Sequence, residues 1–154
     1  MSPEERLASL GIELPEAPAP LGSYVAAVTS GNLVFLSGML PLSMGKLART
    51  GKLGDSLTVE EGAGLARLAA INALAVLKAE TGSLEKVKRC VRVCGYIAST
   101  PEFTQQPAVL NGASDLIAEV FGEIGRHARA AVGVSVLPLD SPVEVEFVFE
   151  VETD

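Results

Sequence analysis

Tryptophan is absent from the 154 residues and aromatics make up only 5%, so the core has to be packed mainly from Ala, Val, Leu and Ile. Histidine occurs once, at His127, and cysteine twice, at Cys90 and Cys94. One imidazole and two distant thiols do not make a zinc site, and without a Ser or Cys nucleophile near the histidine there is no triad. Basic residues are also few. Twelve Lys and Arg against 19 Asp and Glu leave a formal net charge of −7. Phosphate backbones bind basic surfaces, so this balance argues against general nucleic-acid binding. No unbroken apolar run reaches the ~18 residues of a membrane-spanning helix. Met1-Ser2-Pro3-Glu4-Glu5 is polar and acidic, unlike a signal peptide, so the expected location is cytoplasmic. Gly62-Ala63-Gly64 lacks the third glycine and the preceding strand of a dinucleotide fingerprint, and no phosphate-loop lysine motif occurs.

Hydrophobic residues at 48% and charged residues at 20% describe a globular chain, and its length suits one domain over residues 1–154. Residues 1–22 read as an N-terminal extension. Ser2-Pro3-Glu4-Glu5 is a capping box with a first-turn proline, opening a short helix that stops at Gly11. Pro15, Pro18 and Pro20 then make an extended arm. Residues 23–29 and 32–38 flank Ser30-Gly31-Asn32 as a hairpin. Residues 39–57 are expected to be loop. Thr58-Val59-Glu60-Glu61 opens a second helix, apolar on most sides, that ends at Gly82. A strand over 86–98, a helix over about 105–121 and strands at 127–136 and 143–152 complete the order β-β-α-β-α-β-β after the extension.

Alternation along the strands predicts faces. Val87, Val91, Val93 and Ile97 are expected on one side of the long strand, with Cys90, Arg92, Cys94 and Tyr96 on the other. On one face, the cysteines are about four ~3.3 Å rises apart, too far for a disulfide. In the next strand the valine parity (Ala128, Ala130, Val132, Val134) is expected to meet the helices. Arg129, Ala131 and Gly133 then share the open face with Glu144. Small residues mixed with charges on an uncovered sheet face suit a subunit interface with a pocket.

More specific are short motifs in order: Gly22-Ser23-Tyr24, Phe35-Leu36-Ser37-Gly38, Glu102-Phe103, Ala128-Arg129-Ala130-Ala131-Val132-Gly133-Val134, Leu137-Pro138 and Val143-Glu144-Val145-Glu146. Together they resemble the RidA/YjgF family of reactive-intermediate imine/enamine deaminases, also called endoribonuclease L-PSP-like, in a divergent, longer form. The resemblance implies an α+β, chorismate-mutase-like fold, with a mixed sheet and two helices on one face. It further implies a homotrimer around a central barrel, with ligand clefts between subunits. The implied activity is hydrolysis of 2-imino or enamino acids to 2-oxo acids and ammonia, without cofactor or metal. Its implied site residues are Arg129 as carboxylate anchor, Glu144 and Tyr24 as catalytic groups, and Ser37, Gly38 and Ala131 as substrate contacts. Met39, Pro107, His127 and Ala131 depart from the family pattern. A non-catalytic binder of small carboxylic acids is the first alternative. Endoribonuclease activity is the second, and the net charge weighs against it.

Overall fold

The computed structural model describes residues 1–153. Its helices begin where side chains replace missing backbone partners. At the start of α1 (Pro3–Ser9), Ser2 Oγ accepts from the Glu5 amide, and Glu5 accepts from Ser2 N at 2.7 Å. Thr58 and Glu61 repeat the exchange for α2 (Val59–Thr81), which ends in Gly82 at φ 85°. No side chain caps α3 (Gln106–Phe121), but Pro107 in its first turn has no amide to leave unpaired. Helix α2 is long and apolar enough to suggest a membrane span, yet 61% of its most apolar window is buried within the fold. It is the central core helix.

Five strands form one sheet: β1 (Ala27–Ser30), β2 (Leu33–Leu36), β5 (Val87–Ala98), β6 (Ala128–Val134) and β7 (Val143–Val151). Their spatial order is β1-β2-β7-β5-β6, antiparallel throughout except for the parallel β5–β6 pair. The fold is therefore α+β with a mixed sheet, as the element order implies. Helices α2 and α3 cover one face and bury Val145, Phe147 and Phe149 of β7 beneath them. Close approach depends on missing side chains. A Cβ on Gly95 would come within 2.5 Å of Leu110, and one on Gly112 within 1.9 Å of the Ala63 carbonyl of α2.

Three expectations are corrected. Residues 39–57 are not all loop, because β3 (Leu42–Ser43) and β4 (Lys46–Leu47) form a two-residue hairpin. Met44 and Gly45 turn it at φ 53° and 79°, and strands this short carry no readable alternation. Cys90 and Cys94 do not share a face. Register shifts between Val87 and Arg89 and between Cys90 and Arg92 bulge β5. Cys90 thus turns into the core, paired with Phe149, where burial pushes its thiol up to about 12. Both cysteines are free thiols, as expected.

The third correction concerns β6. Arg129 is aligned with Val93, a core residue, and Ala131 packs against the same core, so this parity faces the helices. The valines point the other way, leaving Val132 42% exposed. Strand polarity fails here because α3 crosses close to the sheet edge. A Cβ on Gly133 would come within 2.7 Å of Gln106, so small residues are needed inside and branched ones fit only outside. Arg129 and Glu144, expected on one side, therefore lie on opposite faces of the sheet.

Candidate functional site

Four of the named residues converge where β2 ends and β7 begins. Ser37 and Gly38 follow β2, and Glu144 is the second residue of β7. The bridge between Met39 and Val145 (Met39 N to Val145 O 2.7 Å, Val145 N to Met39 O 3.0 Å) locks these segments together. The Glu144 carboxylate lies over Gly38 so closely that a Cβ there would come within 2.1 Å of Oε2. Glycine is thus required for contact rather than for backbone conformation. Burial, and then the neighbouring Glu146 charge, raise Glu144 above the usual carboxylate range. Ser37 Oγ donates to the Val25 carbonyl at 2.7 Å, leaving its lone pairs to accept. Tyr24 closes the group. Its Oη accepts from Leu21 N–H at 3.1 Å, so it fastens the end of the N-terminal arm and keeps its own hydrogen to donate.

These side chains line a cavity of about 430 Å³. Its remaining walls are apolar: Met39 and Leu40 are buried, and the arm contributes Pro18, Ala19 and Leu21. The buried Asn72 of α2 fixes the floor, donating to the Leu40 and Leu42 carbonyls at 3.0 Å each. Asn72 sits in an apolar helix with no motif around it, which is why the sequence does not single it out.

Arg129 and Ala131 are not in this cavity. The Arg129 guanidinium lies beside the start of α3, where Nη1 donates to Ser114 Oγ and Nη2 to the Pro107 carbonyl, both at 3.1 Å. Behind Ser114 stands His127. Its Nδ1 is 2.7 Å from the Gly125 carbonyl, which only accepts, so Nδ1 carries the hydrogen. In the neutral ring Nε2 then accepts from the Ser114 hydroxyl at 2.8 Å. A directed chain results, from Arg129 through Ser114 and His127 to Gly125. No serine or cysteine stands near His127 along the sequence, yet the fold brings Ser114 to it, and the two together brace the arginine. The signal was the place of His127 two residues before Arg129, where the family pattern has proline.

On the open face Tyr96 Oη donates to Glu146 at 2.8 Å. The adjoining Cys94 thiol, and then the Glu146 carboxylate, push the Tyr96 hydroxyl above its ordinary range. Beside them one row of cross-strand neighbours runs Val28, Phe35, Val148, Arg92 and Ala128 over all five strands. In this row Val28 is 53% and Phe35 44% exposed, an apolar stripe on an uncovered sheet face.

The family model "YjgF/chorismate_mutase-like, putative endoribonuclease" matches residues 4–151. Protein TCP17 of Trypanosoma cruzi is 48% identical over 94% of this chain and 91% of its own. A 2-iminobutanoate/2-iminopropanoate deaminase of Dermatophagoides farinae is 32% identical over 92% and 95%. Among solved structures, one from Shewanella oneidensis MR-1 described as a "putative endoribonuclease" superposes with a TM-score of 0.95 at 40% identity, covering 98% of this chain and 100% of that one.

Proposed function

The chain belongs to the YjgF/RidA family, and from that premise we propose that it hydrolyses 2-imino acids to 2-oxo acids and ammonia, at sites shared between copies of the chain. The observation that carries this reading is the division of the polar groups. Glu144, Ser37 and Gly38 meet in one cavity, while Arg129 lies on the other face of the sheet. One small ligand cannot touch both within one chain. A second copy, docked on the apolar open face, supplies the arginine in a closed homotrimer.

In such a site the guanidinium holds the substrate carboxylate with two parallel hydrogen bonds. The imine carbon then sits over Gly38, beside Glu144. Glu144 orients a water and takes its proton as the oxygen adds to the C=N carbon. It returns that proton to the nitrogen, giving the carbinolamine, then takes the hydroxyl proton and passes it to the departing nitrogen as the C–N bond breaks, which releases ammonia and leaves the ketone. A carboxylate held above its usual range is suited to accept and return a proton. Positioning does most of the rest, since imines already hydrolyse in water. The acidic pair Glu144 and Glu146 is a poor neighbour for a phosphodiester, which favours this chemistry over RNA cleavage.

The test couples an amino-acid oxidase to the protein and follows imine loss against ammonia release. Catalysed loss that disappears in Glu144→Gln and in Arg129→Ala is expected. Binding of 2-oxo acids with no acceleration would mean a carboxylate-binding protein instead.

A further inference from the structure

His127 holds a titratable ring that the proposed mechanism does not use. It is the one histidine in the sequence, and it stands where the family pattern has proline. Ser114, His127 and Arg129 are all half-buried, and Gly125 is buried. Two hydrogen bonds are all that separates guanidinium from imidazole: 3.1 Å from Arg129 Nη1 to Ser114 Oγ, and 2.8 Å from that oxygen to His127 Nε2. The ring is held in this pose, because turning it away would break the bond from Nδ1–H to the Gly125 carbonyl at 2.7 Å.

A proton arriving at the ring has one place to go. Nδ1 already carries a hydrogen, so the proton enters at Nε2 and reverses that bond: Nε2–H donates and Ser114 Oγ accepts. The hydroxyl oxygen has two lone pairs, one for His127 and one for Arg129. Its own hydrogen can turn to the Leu110 carbonyl one turn back in α3, a common bond for a helical serine. Arg129 therefore keeps its seat, including the bond from Nη2 to the Pro107 carbonyl. What changes is the charge. Imidazolium and guanidinium then face one oxygen, half out of water, where charges are weakly screened. With nothing bound to Arg129 they repel. A carboxylate on the remaining N–H groups of the guanidinium offsets both.

Other charges on the packing elements are engaged or directed elsewhere. On α3, Asp115 is exposed and Glu119 pairs with Arg67. In the turn after α3, Glu123 pairs with Arg126, and Arg6 of α1 lies over Gly122. Arg92 of β5 is aligned with Ala128, on the opposite sheet face. Among the described residues, Arg129 is the one charged group hydrogen-bonded into the chain that ends at His127.

Resting on Arg129 as the anchor in the deaminase reading, we infer that His127 is a positioning residue for that anchor, and that a proton on His127 and a substrate carboxylate on Arg129 favour each other. Binding of the acid raises the proton occupancy of the ring, and by reciprocity a charged ring tightens binding of the acid. Affinity for 2-imino and 2-oxo acids thus rises as pH falls through the titration of His127.

Nuclear magnetic resonance of protein with labelled histidine gives one set of imidazole signals, since His127 has no counterpart. Glu144 also gains protons beside an anion, and these signals read the ring alone. They are followed over about pH 5–8, where imidazoles charge, with and without saturating 2-oxobutanoate. The neutral ring is expected to carry its hydrogen on Nδ1. The acid should raise the titration midpoint by roughly 0.7 of a pH unit or more, the equivalent by linkage of about fivefold tighter binding to the charged form. Calorimetry should show wild type gaining more affinity on acidification than His127→Gln, which keeps an acceptor for Ser114 but never charges, by that same factor. A midpoint unmoved by an acid that binds, a neutral ring with its hydrogen on Nε2, or equal gains in the two proteins overturns the inference and leaves the deaminase reading standing. If the acid does not bind, the inference falls, and imine turnover then tells whether the deaminase reading falls with it.

Discussion

At Glu144 burial and the Glu146 charge act in the same direction, both favouring the protonated form in the folded chain. The folded state therefore holds this proton to higher pH than the unfolded state does. By linkage, Glu144 costs the fold nothing below the unfolded carboxylate pKa of ~4.3 and destabilises it increasingly as pH rises through the higher folded value. Glu144→Gln is thus expected to raise the melting temperature at pH 7 and to give no gain near pH 4, while abolishing turnover. Thermal melts of both proteins across that range check the sign, and a stabilisation independent of pH would refute the assignment. Arg129 gives a complementary case. Ser114→Ala removes one of its two acceptors and cuts it off from His127. A hydrogen bond to a charged group is worth about 1.5–3 kcal/mol. The expected effect is a rise of about tenfold or more in KM with kcat little changed, because the arginine anchors the substrate and does not move protons. Equal losses in kcat would place Ser114 in the chemistry itself.

The elements show how far close contact overrides polarity. Gly112 sits where α3 crosses α2, and a Cβ there would come within 1.9 Å of the Ala63 carbonyl. Gly112→Ala should destabilise the fold by roughly 1–3 kcal/mol through overpacking, although alanine is the better helix former. Urea unfolding measures this, and a stabilised variant would mean that the helices are free to move apart. Much was legible in the sequence for reasons of the same kind. The Ser2 and Thr58 capping boxes, the Gly82 stop and the alternation of Val145, Phe147 and Phe149 all act locally, and local chemistry is written in adjacent residues. The motifs also single out Ser37, Gly38 and Glu144, which the fold brings to one cavity. The face of β6 was not legible. Its valines look like core, yet the space under α3 admits only Ala131 and Gly133, and that space is set by residues such as Gln106 far along the chain. The β5 bulge that separates Cys90 from Cys94 was hidden for a similar reason, since it is a property of pairing with β7.

For the whole molecule, the sheet leaves one face bare with Val28, Phe35 and Val132 exposed on it, while the two halves of the polar machinery lie on opposite sides. Both facts are accounted for by the proposed assembly, in which one copy's cavity meets the next copy's Arg129. The assembly can be tested through function by complementation. Arg129→Ala and Glu144→Gln, each inactive alone, are mixed in equal amounts, unfolded together and refolded. If every site takes its glutamate from one chain and its arginine from a neighbour, random association makes about a quarter of the sites intact, since each requirement is met half the time. Imine hydrolysis should therefore recover to about a quarter of the wild-type rate per chain. A mixture as inactive as its components, from chains that refold and associate normally, would place both residues in the same chain's site and contradict the shared-site account.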